Sequence, residues 1–352
     1  MSGSTISYDI PGLERAINEH SKFILTCHVN ADGDALGSTL GLKAVLARLG
    51  KKCSVIVPDL PPTTLLWIPG AKSAHAYERE ITVCDQLIEE ADCIFMMDYN
   101  AHSRTGKLGE KLSSLDKGSK YWVMVDHHLD PVEKCDVMIS NPEASATCEI
   151  IYDCLRNSIY KDQIDVTSAS CFYTGIMTDT GGLSYNSSDP DLYLLVADLL
   201  RMGIDKSEIH DKIFNNKSVR RLRLLATSLK KMEVIPGTNV SLIPLSKPVL
   251  DKHRYMTGDT EGFVNIPLQA KNLVCSMLLM ERPDGIKVSL RSKGDFSVSE
   301  FASKYYGGGG HFNASGATMK MAFEEAVEVL KRDMKEYYTA MYGEENKIKE
   351  QE

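Results

Sequence analysis

Apolar positions along this chain fall into two periods. Short unbroken runs occur at Phe23–Leu25, Ser54–Val57, Ile94–Met97 and Tyr121–Val125, and they read as strands buried on both faces. Between them Leu36, Leu40, Leu42, Val45, Leu46 and Leu49 recur at helical spacing, and Ser145–Leu155 and Thr167–Met177 read as further helices. Strand and helix patterns that alternate in this way up to about residue 190 predict a mostly parallel sheet covered by helices on both faces. Asp189–Gly203, Lys206–Phe214 and Ser218–Met232 are helical with no strong strand among them, so residues 191–235 are expected to form a helical connector. Pro236-Gly237 breaks that run. Strands return at Val240–Ile243, Leu273–Met280 and Ile286–Leu290. A helix over Val298–Tyr305 then leads into a glycine tract, a short strand near Ala317–Met321 and a long amphipathic helix. The expected fold is α/β throughout: a parallel-sheet domain over 1–190, the connector, and a smaller α/β domain over 236–345. The charged end, Gly343–Glu352, is expected to fray.

Composition narrows the function classes. With 352 residues the chain holds two ordinary cores, and 43% apolar with 25% charged residues describes a soluble globular protein. No apolar run is long enough to span a bilayer, and Met1-Ser2-Gly3-Ser4-Thr5 opens no signal peptide, so a cytoplasmic protein is expected. Nine scattered cysteines without a Cys-x-x-Cys pair read as buried free thiols rather than disulfides or zinc clusters. A formal charge of −8 argues against a broad basic surface for long nucleic acid. It is compatible with a short oligonucleotide held by metal and a few arginines.

The chemistry concentrates where apolar runs end. Past Phe23–Leu25, the segment Cys27–Ser38 places His28, Asp32 and Asp34 on the loop leaving a strand's carboxyl end, where open α/β sheets build their sites. One imidazole and two carboxylates suit a divalent ion, and Gly33 is expected to let the backbone turn sharply between the acids. The run Ile94–Met97 ends in Asp98, the run Tyr121–Val125 in Asp126-His127-His128, and Asp179 is a further acidic candidate within Thr174–Gly182. Any one such aspartate is ordinarily a cap or turn residue. Three strand ends that deliver acids and imidazoles to one sheet edge favour metal chemistry.

In this order, His28-x3-Asp32-x-Asp34, Asp98, Asp126-His127-His128 and Asp179 resemble the successive motifs of the DHH phosphoesterases. Val288–Lys293 and Gly307-Gly308-Gly309-Gly310-His311 resemble the associated DHHA1 domain, so the likeness runs from about residue 20 to 340. Length and C-terminal motif are most similar to the nanoRNase and 3′-phosphoadenosine-5′-phosphate phosphatase branch. The resemblance implies a two-metal hydrolase, with Mn²⁺ favoured and Mg²⁺ or Co²⁺ as alternatives. It assigns His28, Asp32 and Asp98 to one ion, and Asp34, Asp98, His127 and Asp179 to the other, with Asp98 bridging. Paired ions stabilise both the attacking and the leaving oxygen of a phosphoryl displacement. Asp98, Asp126 and His128 are the catalytic candidates beyond simple ligation, with Asp126 orienting its neighbours and His128 aimed at the substrate phosphate.

Substrate contacts are expected from Ser103 and Arg104, just beyond Asp98, and from Arg291, Ser292, Gly309, Gly310 and His311 in the DHHA1-like part. The glycine tract is expected to curl its amides into an anion cradle, and Arg291 with Lys293 to pair a terminal phosphate. Glu261-Gly262-Phe263 resembles a family feature without a physical role of its own. The implied substrates are short single-stranded RNA or DNA, hydrolysed to 5′-mononucleotides, or 3′-phosphoadenosine-5′-phosphate. The rate per strand is expected to fall as strands lengthen. Alternatives are hydrolysis of linear di-adenylate, exopolyphosphatase or pyrophosphatase activity, and a non-catalytic nucleotide sensor. The related pyrophosphatases close their site with a lysine- and arginine-rich motif that Gly307–His311 replaces here, and a decayed sensor should lack ligands. The sequence leaves monomer and homodimer both open.

Overall fold

The computed structural model describes residues 8–116, 118–131 and 134–343. The first seven residues, scanned for a signal peptide, and residues 344–352, expected to fray, lie outside the described residues. The chain divides into two compact units, residues 1–216 and 217–352.

The first unit is built on six strands: β1 (Lys22–Thr26), β2 (Lys52–Val57), β3 (His75–Ala76), β4 (Cys93–Met97), β5 (Tyr121–Asp126) and β6 (Val137–Ser140). Every pairing is parallel, in the order β3-β2-β1-β4-β5-β6. Its helices are α1 (Ile10–Glu19), α2 (Gly33–Arg48), α3 (Ile81–Glu90), α4 (Gly106–Ser113), α5 (Thr147–Arg156), α6 (Val166–Asp179), α7 (Pro190–Arg201) and α8 (Lys206–Phe214). Phe23, Leu25, Phe95 and Val123 pack on one side against α1, α2, α5 and α6. Ile24, Ile56 and Ile94 pack on the other, against Ile88 of α3 and Leu108 and Leu112 of α4. Burial on both faces is why these strands are continuous apolar runs rather than alternating ones. The chain winds one way through β1, β2 and β3, then crosses to β4 and winds the other way. The crevice at such a reversal, outside the strands' carboxyl ends, is where open sheets bind ligands.

Of the helices expected to connect the domains, α7 and α8 belong to the first unit. Leu192, Leu195, Leu199 and Ile209 complete its core. Helix α9 (Val219–Lys231) belongs to the second.

The second unit has β7 (Glu233–Val234), β8 (Val240–Leu245), β9 (Cys275–Arg282), β10 (Gly285–Ser292), β11 (Gly309–His311) and β12 (Ala314–Met319), with α10 (Lys247–Lys252), α11 (Val298–Tyr306) and α12 (Phe323–Tyr342). The order is β11-β12-β10-β9-β8-β7, antiparallel except between β8 and β9. Val240, Met277, Val288 and Leu290 pack against Phe301 of α11 and Leu330 and Met334 of α12. On the opposite face Ile243, Leu278 and Met280 meet Leu224 of α9, Leu250 of α10 and Phe263. On β10 that face carries Lys287, Ser289 and Arg291, which alternate with buried neighbours.

The glycine tract does not curl into a cradle. Gly307, left-handed at φ 61°, ends α11, and Gly309–His311 form an edge strand paired to β12. The pairing explains why β12 starts three residues earlier than its apolar pattern suggests. All nine cysteines are free thiols, buried or half-buried. Among the described residues no helix is long and apolar enough to cross a membrane.

Candidate active site

Three adjacent strands feed the site. His28 follows β1, Asp98 immediately follows β4, and Asp126 ends β5 ahead of His127 and His128. Asp32 is the N-cap of α2: its Oδ1 accepts from the amides of Asp34 and Ala35, both at 3.0 Å, while Oδ2 lies 3.8 Å from His28 Nε2. The capping role and the ligand role are thus shared between two oxygens of one carboxylate. Asp179 arrives differently, as the last residue of α6.

Helices α2 and α6 reach the site together because glycines let them approach. Gly33 makes no left-handed turn; a methyl there would collide with Thr178 of α6. One at Gly37 would sit 2.6 Å from the Cys171 carbonyl oxygen, and one at Gly175 would sit 2.7 Å from Asp34 Oδ1. The close packing that brings Asp34 and Asp179 together therefore requires bare backbone on both helices.

Asp98 is the centre of the arrangement. Its Oδ2 lies 3.3 Å from His28 Nε2, and its Oδ1 lies 3.5 Å from His127 Nε2. Thr147 Oγ1 donates to Oδ1 at 2.9 Å. Asp98 takes a left-handed backbone, φ 64°, which is costly for a non-glycine residue and collects at functional sites. On its far side His127 Nε2 also faces Asp179 Oδ2 at 3.4 Å and Asp34 Oδ2 at 4.0 Å. Asp34 is held by the start of α5, accepting from the amides of Thr147 at 2.6 Å and Cys148 at 2.8 Å.

The other ring nitrogens are already engaged. His28 Nδ1 donates to the Val29 carbonyl at 2.8 Å and His127 Nδ1 to the Ala144 carbonyl at 3.3 Å, which leaves each Nε2 with a lone pair toward the carboxylates. His128 differs. Its Nδ1 is 2.7 Å from Asp126 Oδ1 and its amide donates to Asp126 Oδ2, so Asp126 fixes this ring and keeps the proton on Nδ1.

Three donor sets result among the described residues, His28–Asp32–Asp98, Asp98–His127–His128 and Asp34–His127–Asp179; Asp98 links the first two and His127 the last two. Mixed imidazole and carboxylate donors fit divalent ions of intermediate hardness. Cys27 and Cys148 lie nearby, but burial pushes both thiols well above their usual range, so they offer no thiolate at neutral pH. No Lys or Arg is ion-paired to these aspartates among the described residues. Burial therefore raises the carboxyls of Asp34, Asp98 and Asp179, and neighbouring carboxylates add to it.

Without metal, the folded chain keeps protons on these acids at pH values where the unfolded chain has released them. The stability of chelator-treated protein should accordingly fall as pH rises above about 4. Bound metal, which competes with those protons, should reverse the trend. Thermal melts at pH 5 and pH 8, with chelator and with Mn²⁺, check this. A chelated protein more stable at pH 8 would contradict it.

The predicted substrate residues fall in both units. In the first, Ser103 and Arg104 lie on a short 3-10 turn, His102–Thr105. The Arg104 carbonyl accepts from the Val29 amide at 2.9 Å, which ties the turn to the His28 loop. In the second, Arg291 pairs with Ala314 of β12, and Ala314 with His311 of β11. The three share one row and one face, so Arg291 and His311 stand about 10 Å apart across a small residue. Ser292 belongs to the opposite face. It is buried, donates to the Phe296 carbonyl and accepts from Asn313, so its hydroxyl is not available to a ligand. Burial lowers the Arg291 guanidinium, opposed by the Glu261 carboxylate.

Sequence reasoning missed Thr147 and Arg221. The first supports Asp98. Arg221 donates to the Glu261 carbonyl and stacks 4.9 Å from the Phe263 ring centre, which gives Glu261-Gly262-Phe263 a packing role beside Arg291.

Residues 22–176 match the DHH family, N-terminal domain, and residues 247–338 the DHHA1 domain. The crystal structure of an exopolyphosphatase-related protein from Bacteroides fragilis is 39% identical, with a TM-score of 0.90 over 94% of this chain and 97% of that one. The chain belongs to the DHH family. Among its relatives, a bifunctional oligoribonuclease and PAP phosphatase NrnA of Thermus thermophilus is 27% identical, covering 88% of this chain and 89% of the relative. The NrnA of Bacillus subtilis is 23% identical, covering 90% and 95%. This DHH protein is a phosphoesterase, hence a hydrolase, of a metal-dependent family. Its α/β fold, with a parallel sheet followed by a second sheet, is the one its motifs implied.

Proposed function

We propose that this DHH phosphoesterase hydrolyses short single-stranded oligonucleotides to 5′-mononucleotides and removes the 3′-phosphate of 3′-phosphoadenosine-5′-phosphate. The observation that carries the reading is Asp98, whose two oxygens face different imidazoles, each backed by further carboxylates. His28, Asp32 and Asp98 would hold one divalent ion, and Asp34, Asp98, His127 and Asp179 a second. Imidazole beside carboxylate favours Mn²⁺ over Mg²⁺. Bound there, the ions would supply Lewis-acid stabilisation and an acidified water.

The remaining roles belong to side chains. Thr147 fixes the Asp98 carboxylate through its hydroxyl. Asp126 holds the His128 ring through Nδ1, and Nε2, when it too carries a proton, would donate to a phosphate oxygen or give that proton to a leaving oxygen. Arg104, on the turn His102–Thr105, would bind a phosphate in the first unit. Arg291 and His311, in one row of the second sheet, hold another. The names of the T. thermophilus and B. subtilis relatives support this substrate class.

The test is a substrate panel with Mn²⁺: 3′-phosphoadenosine-5′-phosphate, linear di-adenylate, RNAs of two, five and twenty nucleotides, duplex RNA, pyrophosphate and polyphosphate. Chromatography should find mononucleotides from the short strands, a rate per strand that falls with length, and no attack on duplex. Turnover of pyrophosphate or polyphosphate without nucleotide hydrolysis would replace this reading. Equal or faster degradation of the twenty-nucleotide strand would point to a processive exonuclease.

A further inference from the structure

The second unit carries a cavity of about 750 Å³ on β10, the strand of Arg291, and its neighbour β12, and neither Arg291 nor His311 lines it. Its lining includes Arg282, Lys287, Ser289, Gly316 and Thr318. Strand register relates the two places. Arg291, Ala314 and His311 form one row across β10, β12 and β11. Ser289, Gly316 and Gly309 form the next, and Lys287 with Thr318 the third. These rows lie on the face of the sheet away from α11 and α12, while Tyr306 at the end of α11 and Gly307–Gly308 line the cavity at the sheet's edge. Glycine and alanine give the middle strand a low floor, flanked by hydroxyls and cations.

Successive rows are two residues apart, about 6.7 Å along the strand. That spacing is comparable to the separation of neighbouring phosphates in an extended nucleotide chain. Lys287 is exposed and makes no ion pair among the described residues. Arg282 is held in place by Tyr255, whose hydroxyl accepts from Nη2 at 2.8 Å and whose ring lies 5.4 Å away. Its buried Nε has no partner. Beyond Lys287 the hairpin turn carries Asp284, a carboxylate at the cavity's far end that would repel a further phosphate.

We propose that this cavity is a subsite for the sugar–phosphate backbone of an oligonucleotide, continuing from a phosphate held at Arg291 and His311 and ending at Asp284. The inference rests on the nucleotide reading of the site above. It sets a length: contacts accumulate over about three rows, roughly 13 Å, and then stop. Dinucleotides and 3′-phosphoadenosine-5′-phosphate are too short to reach Lys287.

The experiment compares wild type with Lys287→Ala and Lys287→Glu, both exposed-surface changes that leave every proposed ligand untouched. The KM for five-nucleotide RNA should rise about tenfold in Lys287→Glu, and less in Lys287→Ala, with kcat unchanged. The KM for 3′-phosphoadenosine-5′-phosphate should stay constant. The salt dependence of binding the longer strand should weaken by about one phosphate contact. Equal effects on both substrates, or none on the longer, would overturn the subsite. If wild type hydrolysed no nucleotide, the functional reading itself would fail. Fluorescence anisotropy with labelled five-nucleotide RNA would still decide the subsite, since loss of affinity in Lys287→Glu supports it and unchanged affinity removes it.

Discussion

Replacing Asp98 by asparagine should abolish hydrolysis while leaving the fold standing. The carboxylate is 2% exposed and supplies one oxygen toward His28 and the other toward His127, so the change removes a charge from both proposed ion sites at once. Groups that merely support a metal ligand typically cost 10–100-fold when lost, so a shared ligand should cost more than about 100-fold in kcat. The fold has reasons to tolerate the change. Asparagine enters the left-handed region more readily than most residues, as φ 64° demands, and its carbonyl oxygen still accepts from Thr147. Burial and the facing Asp34 and Asp32 push the Asp98 carboxyl well up. A neutral residue there should leave the chelated variant at least as stable as chelated wild type. Calorimetry should find Mn²⁺ binding weakened at both sites. Substantial turnover in Asp98→Asn, or loss of one Mn²⁺ site alone, would refute a bridging role.

Much of this centre is legible in the sequence because a parallel sheet buried on both faces turns each strand into an unbroken apolar run. The residue at which the run stops is then the residue at the sheet's carboxyl edge. Asp98 and Asp126-His127-His128 stand out in this way, and His28 nearly so. The two-residue β3 and the four-residue β6 carry too little pattern to be seen. Asp179 is visible as an acid, but not as a neighbour of Asp34. Their meeting depends on Gly33, Gly37 and Gly175 allowing two distant helices to touch, and no local period encodes that. Thr147 is likewise hidden: its hydroxyl reaches a carboxylate 49 residues earlier in the chain. The glycine tract misled for a physical reason. Consecutive glycines permit a nest of amides and an edge strand equally, and pairing with Ala314–Gly316 decides for the strand. The alternation that places Arg291 outward also turns Ser292 inward, so adjacent residues of one motif have opposite fates.

Arg291→Ala and His311→Ala should separate substrate capture from metal binding. Both side chains sit in the second unit, while all the proposed ligands belong to the first, so neither change touches a donor. A charged hydrogen bond to phosphate contributes about 1.5–3 kcal/mol, so losing Arg291 should lower kcat/KM by roughly 10–100-fold, mostly through KM. Arg291→Lys should recover only part of this, because lysine keeps the charge but loses the planar fork that grips two phosphate oxygens. His311 is exposed at the end of β11, and its removal should cost less, since its backbone pairing with Ala314 is unchanged. Stoichiometric Mn²⁺ binding by calorimetry should persist in all three variants. Loss of metal from either alanine variant would mean that the second unit contributes to the metal centre rather than to the substrate, and the division of labour between the two units would have to be redrawn.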